Sequence, residues 1–170
     1  MNDKPSESTI AIFIWGDVIE QWLDTIGLTT RDFAERMTGG WIFGYVAALR
    51  HAGWRPIIVG ASRSARTTTR FIHSGTGAPI WMVPGTPVYR GRHSPNAASM
   101  RSWLATPLRA FREVIEREGC RALMIQEYEY TRFDALVRLA DRLGIPAYAS
   151  FQGGDRTLSW IEGVVRARSL

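Results

Sequence analysis

Apolar residues in this chain gather in short unbroken runs, separated by longer stretches with helical spacing. Residues 9–15, T-I-A-I-F-I-W, form a continuous, largely β-branched run, the pattern of a strand buried on both faces of a parallel sheet. Residues 55–60 read as a second buried strand, 79–84 as a short third, 122–126 as an apolar fourth and 145–151 as a fifth. Helical segments are expected over 41–52, from Ser99 or Ser102 to Glu118, over 135–143 and over 157–167. In the second of these, Leu108, Phe111, Val114 and Ile115 recur on one face, and Pro107 marks a first turn or a kink. Gly53, Gly119 and Gly144 stand where helices stop, and Asp134 reads as the cap of the helix that follows it. Between the first strand and the first long helix lies a connection over 17–38. Residues 32–37 suit one or two helical turns there, capped by Thr29 or Thr30. A connection of this length in a compact domain is usually functional. Residues 61–77, polar and arginine-containing, receive no assignment, and 85–98 reads as an exposed loop.

Strands alternating with helices imply βαβ units. The fold class is therefore α/β, a Rossmann-like parallel sheet with helices on both faces. In such sheets ligands gather at the C-terminal strand ends. Three polar turns fall there: Gly39-Gly40, Gln126-Glu127-Tyr128 and Gln152-Gly153-Gly154-Asp155. The first opens directly into a helix. Adjacent glycines reach backbone angles closed to other residues, and a helix start offers unpaired N–H donors at the positive end of its dipole. That combination suits a phosphate or another electron-rich group. The alternative is a plain turn. Gly44, one helical turn on, is expected to let the helix approach the sheet.

The length of 170 residues suits one domain over 9–170, behind a polar tail at 1–8 that reads as disordered and unlike a signal peptide. An apolar fraction of 45% argues against disorder elsewhere. The net charge of +5 rests on arginine, with Lys4 the single lysine. The arginines are scattered and match no nucleic-acid module, so no nucleic-acid partner is expected. Cys120 is the one cysteine; it excludes an internal disulfide, fits a reducing cytoplasm and reads as a buried structural thiol.

The motif T-G-G-W-x-x-G-Y-V-A-A-L-R-x-A-G, a later Q-E-Y-E, then D-x-L-V-x-L-A-x-x-L-G-I-P and F-Q-G-G-D occur in that order. Together they resemble the N-terminal domain of retaining GT-B glycosyltransferases of the glycogen-synthase-like, "group one" family, over residues 10–168. The resemblance implies one half of a GT-B fold. In that family this half mostly binds the acceptor, while a C-terminal domain binds the nucleotide-sugar donor. It implies that Gly39 and Gly40 approach the donor diphosphate and the transferred sugar. It places Gln126 and Glu127 in a loop where many members carry a histidine or a sugar-binding group. Phe151, Gln152 and Gly153 match a loop where other members carry a histidine; Gln152 here points to a hydrogen bond with sugar hydroxyls. No two glutamates are spaced as E-x(7)-E, the pair of the family's C-terminal domain. The expectation is a piece of a longer enzyme, inactive alone, or else a partner subunit of a split enzyme.

Retaining transfer needs a stabilised leaving diphosphate and a positioned acceptor hydroxyl. Backbone N–H groups at a helix start supply the first without a metal or other cofactor. Glu127, Tyr128, Gln152 and Asp155 are candidates to hold the acceptor, a sugar or a lipid-linked sugar, with Trp41 as a stacking surface. Each has a bland reading: Trp41 as core packing, Glu127 as a solvated carboxylate, Asp155 as a helix cap. His73 and His93 read as exposed, and His51 as a partner of a helix end. Arg63, Arg66, Arg90 and Arg92 read as solvated charge, with an anionic acceptor or the inner face of a membrane as the alternative. A stand-alone Rossmann-type module for a dinucleotide or S-adenosylmethionine is the competing function. Against it, the glycines do not form G-x-G-x-x-G and follow a long loop.

Overall fold

The computed structural model describes residues 7–87, 102–126, 128, 131–150 and 160–169. In chain order the elements are β1 (Ser8–Phe13), α1 (Glu20–Leu23), α2 (Thr30–Glu35), α3 (Trp41–His51), β2 (Trp54–Ser62), β3 (Thr69–Ile72) and β4 (Pro79–Pro84). They continue with α4 (Leu108–Arg117), β5 (Cys120–Gln126), α5 (Thr131–Leu143), β6 (Ala147–Ser150) and α6 (Trp160–Ala167). A six-stranded sheet runs in the order β3-β4-β2-β1-β5-β6. All neighbours pair parallel except β3, which lies antiparallel on the β4 edge. The fold is Rossmann-like α/β, with one antiparallel edge strand that the apolar pattern did not announce.

The apolar runs of β1, β2, β4 and β5 are explained by burial on both faces, whereas β6 is an edge strand with Tyr148 exposed. Alternate residues of β1 point opposite ways: Ala11 and Phe13 pack with Phe111 of α4 and Leu136 of α5. Ile12 and Ile14 pack with Phe33 of α2 and with Ile42 and Val46 of α3. Helices α1–α3 thus cover one face, and α4 and α5 the other.

The connection from β1 to α3 is largely built. Thr29 caps α2 through a capping box with Asp32, each accepting from the other's backbone N–H. Gly53, Gly119 and Gly144 all take positive φ at helix ends, the left-handed stop that lets the last carbonyls find partners. Two expectations are corrected. Gly44 does not bring α3 against the sheet: it is exposed, with nothing within 4 Å of where a Cβ would stand. Asp134 does not cap α5, which begins at Thr131; Asp134 lies inside the helix and is fully buried.

Candidate functional site

The parallel strands end along one rim. Strand order reverses at β1, with β2 on one side and β5 on the other, which is where such sheets open a crevice. The turns at this rim are shaped by charged and hydroxyl side chains that grip backbone. Arg132 of α5, fully buried, donates from Nη2 to the Ile14 carbonyl at 2.5 Å, just past the end of β1. Glu20 of α1 accepts from the Arg63 and Ser64 amides at 3.0 and 3.1 Å, and from the Ser62 and Ser64 hydroxyls, so it cups the turn after β2. Burial opposes the Glu20 charge, but these hydrogen bonds outweigh it and hold the carboxyl below its ordinary range. Arg166 of α6 donates to the Tyr128 carbonyl at 2.6 Å, in the turn after β5.

The glycine turn leads into α3. Gly40 has φ 113° and ψ 153°, a region essentially closed to side chains, and a Cβ there would stand 3.2 Å from Met37 Cε. It is the N-cap of α3 and brings no side chain to the first-turn amides. Gly39 stands in open space. Trp41 is 37% exposed, its ring edge-on to Tyr45 at 6.1 Å. The Tyr45 hydroxyl lies 3.0 Å from Ser150 Oγ at the end of β6. Ser150 is in register with Gln126, the last residue of β5. Gln126 is fully buried and, by strand alternation, faces the α3 side with Met124. The second turn of α3 therefore meets the end of β6 beside β5, although they are far apart in the chain.

Tyr128 turns the other way. Its ring stands edge-on to Phe133 at 5.3 Å and carries the Arg166 guanidinium at 4.4 Å. Arg166 is itself locked to buried Asp134, at 2.5 and 3.2 Å. Burial pushes the Asp134 carboxyl above its usual range, against the pull of Arg166. Tyr128 is thus placed with α5 and α6, apart from Trp41 and Tyr45. Glu127, Gln152, Gly153, Asp155, His93, Arg90 and Arg92 lie outside the described residues.

Sequence reasoning passed over several rim residues. Gly16 takes φ 89° right after β1, and a Cβ would meet Val18 O at 3.1 Å. It is flanked by Trp15, 38% exposed, and by Asp17, which accepts from Ser102 Oγ at 2.5 Å. The Gly16-Asp17 pair closing the first strand was the available signal; Arg132 and Arg166 had none. His73 is corrected outright: it is buried, stacked on Phe43 at 3.8 Å, and bonded through both ring nitrogens. Its neighbours supply the reason. The β3–β4 turn folds under α2 and α3, which no local pattern reveals.

Cys120 is buried at the opposite end of β5, and burial pushes its thiol up to about 12, which fits a structural role. Among the described residues no group of three or more His, Cys, Asp and Glu is placed to hold a metal ion. No helix there is long and apolar enough to cross a membrane. A mostly apolar groove of about 670 Å³ runs from Thr86 along Thr106, Pro107, Leu108 and Glu113, on the α4 side. No protein-family model matches the chain, and no curated protein proves similar to it.

Proposed function

We propose that this chain is the acceptor-side domain of a retaining GT-B glycosyltransferase, working with a donor-binding domain or subunit and inactive by itself. The observation that supports the reading is the Tyr45–Ser150 contact. It ties the second turn of α3, one turn on from Trp41, to Ser150, the register partner of Gln126, at the strand ends where a Rossmann-like sheet takes ligand. In this reading the α3 amides stabilise the leaving diphosphate by hydrogen bonds and the helix dipole. Trp41, half exposed, offers a face to a sugar ring. Glu127, Gln152 and Asp155 belong to the acceptor side, with buried Gln126 as the end of β5. No cofactor is called for.

Calorimetry of the isolated chain against UDP-, GDP- and ADP-sugars, NAD and S-adenosylmethionine tests the class. The expected result is no tight binding of NAD or S-adenosylmethionine and no sugar transfer by the chain alone. Transfer is expected once a donor-binding half is supplied, and Gly40→Ala then lowers kcat/KM. Submicromolar binding of NAD or S-adenosylmethionine defeats the proposal.

A further inference from the structure

The glycine turn is held from behind by a residue that belongs to neither of its flanking helices. His73 sits at the turn between β3 and β4, fully buried. Its Nδ1 accepts from the Thr76 backbone N–H at 3.0 Å and lies 2.8 Å from Thr76 Oγ1. A backbone N–H can only donate, so Nδ1 is the acceptor and Nε2 carries the proton. Nε2 donates to the Met37 carbonyl at 2.5 Å, just ahead of the glycine turn. The imidazole face stacks on Phe43, with an interplanar angle of 10°, in the first turn of α3 just behind it. One ring therefore touches the chain on both sides of Thr38-Gly39-Gly40. The same β3–β4 turn closes the end of α2: the Ser74 amide and hydroxyl donate to the Ala34 and Glu35 carbonyls. Arg50, near the end of α3, donates to the Thr76 carbonyl.

We infer that His73 is a positioning residue that sets the conformation of the Gly39-Gly40 turn, with the antiparallel β3 hairpin as its mount. A turn made of two glycines has the largest backbone entropy to lose, so it needs clamps outside itself. The Nε2–Met37 bond and the Phe43 stack are those clamps. In supplying a formed turn to a diphosphate, the inference rests on the function proposed above; in holding the turn, it does not.

Two substitutions divide the ring's duties. His73→Gln keeps a donor at the reach of Nε2; His73→Asn keeps only an acceptor near Nδ1. Hydrogen exchange reads the turn directly. The Gly44 amide bonds to the Gly40 carbonyl, whereas the Ala52 amide bonds to the Ala48 carbonyl at the far end of α3. The Asn variant is expected to exchange about tenfold faster at Gly44, the Gln variant to stay within about threefold of the parent, and Ala52 to stay unchanged in both. Equal effects of Gln and Asn, or acceleration at Ala52 alongside Gly44, overturn the inference. A pyrophosphate titration followed at the Gly39, Gly40 and Trp41 amides adds the ligand. Asn is expected to weaken it about tenfold while Gln restores it. Parent-like affinity in the Asn variant, despite faster exchange at Gly44, also overturns it. Absence of any pyrophosphate response in the parent defeats the proposed diphosphate role instead, and the exchange result then decides the positioning role alone.

Discussion

At the N-terminal rim of the sheet, charged side chains satisfy one another. Glu118 accepts from Arg55 at 2.6 Å and from the buried Trp81 indole at 2.8 Å, and lies 3.4 Å from Arg70. Burial works against its charge, but Arg55, Trp81 and Arg70 hold the carboxyl below its ordinary range. At the C-terminal rim charged groups also grip backbone: Arg132 holds Ile14, Glu20 holds the turn at 63–64, and Arg166, itself paired with Asp134, holds the Tyr128 carbonyl. The first arrangement ties β2, β3 and β4 to the end of α4, with Arg55 and Arg70 still partly exposed. The second fixes the shapes of turns, and Trp15, next to the Ile14 carbonyl that Arg132 holds, stays 38% exposed. A rim whose turns are held by side chains from behind keeps its outward groups available, as a binding edge requires.

The contrast breaks most readily at Asp134. Truncation to Ala leaves Arg166 buried without its carboxylate, and a loss of about 3–5 kcal/mol in urea unfolding is expected. A loss well under that range means Arg166 relaxes to water and does not hold the Tyr128 turn. Glu118→Ala at the other rim strands the Trp81 indole N–H and should cost about 1–3 kcal/mol. It should leave pyrophosphate shifts at Gly39 and Gly40 untouched. The parent's pH dependence carries the same sign at Glu118 and Glu20. Both folded pKa values are depressed, so their stabilisation is present above the unfolded value of about 4.3 and lost as pH falls below it. Acid unfolding of Glu118→Gln should lose part of that dependence.

Gly40→Ala forces a side chain into a glycine-only backbone region and should cost about 1–3 kcal/mol. Unlike Glu118→Ala, it should also remove the pyrophosphate response; an intact response would take the glycine turn out of the site. Gly44→Ala carries the opposite sign. Exposed and mid-helix, with open space around it, it should raise stability by about 0.5–1 kcal/mol in thermal melts. The smallest effect is at Cys120, whose thiol should stay unlabelled by a disulfide reagent at pH 8 in the native protein and react fully in denaturant.

What the sequence alone determined is everything that depends on near neighbours. Continuous apolar runs such as T-I-A-I-F-I-W become strands because only burial on both faces accommodates them. Thr29 caps α2, and Gly53, Gly119 and Gly144 end helices, because these are contests settled within four residues. The parallel order of the main strands followed from their alternation with helices. Tertiary structure decided the rest. Residues 69–72 pair only because β4 offers them an edge, and their half-exposed pattern carries no periodic signal. His73 read as an exposed loop histidine, yet the hairpin folds it under Phe43. Asp134 had the look of a helix cap until Arg166, 32 residues on, took its carboxylate. Gly44 looked like a packing glycine, but the phase of α3 turns it to solvent. Hydrogen bonds and ion pairs between distant residues depend on where whole elements come to rest. That placement is set by the shared core, and no short window of residues contains it.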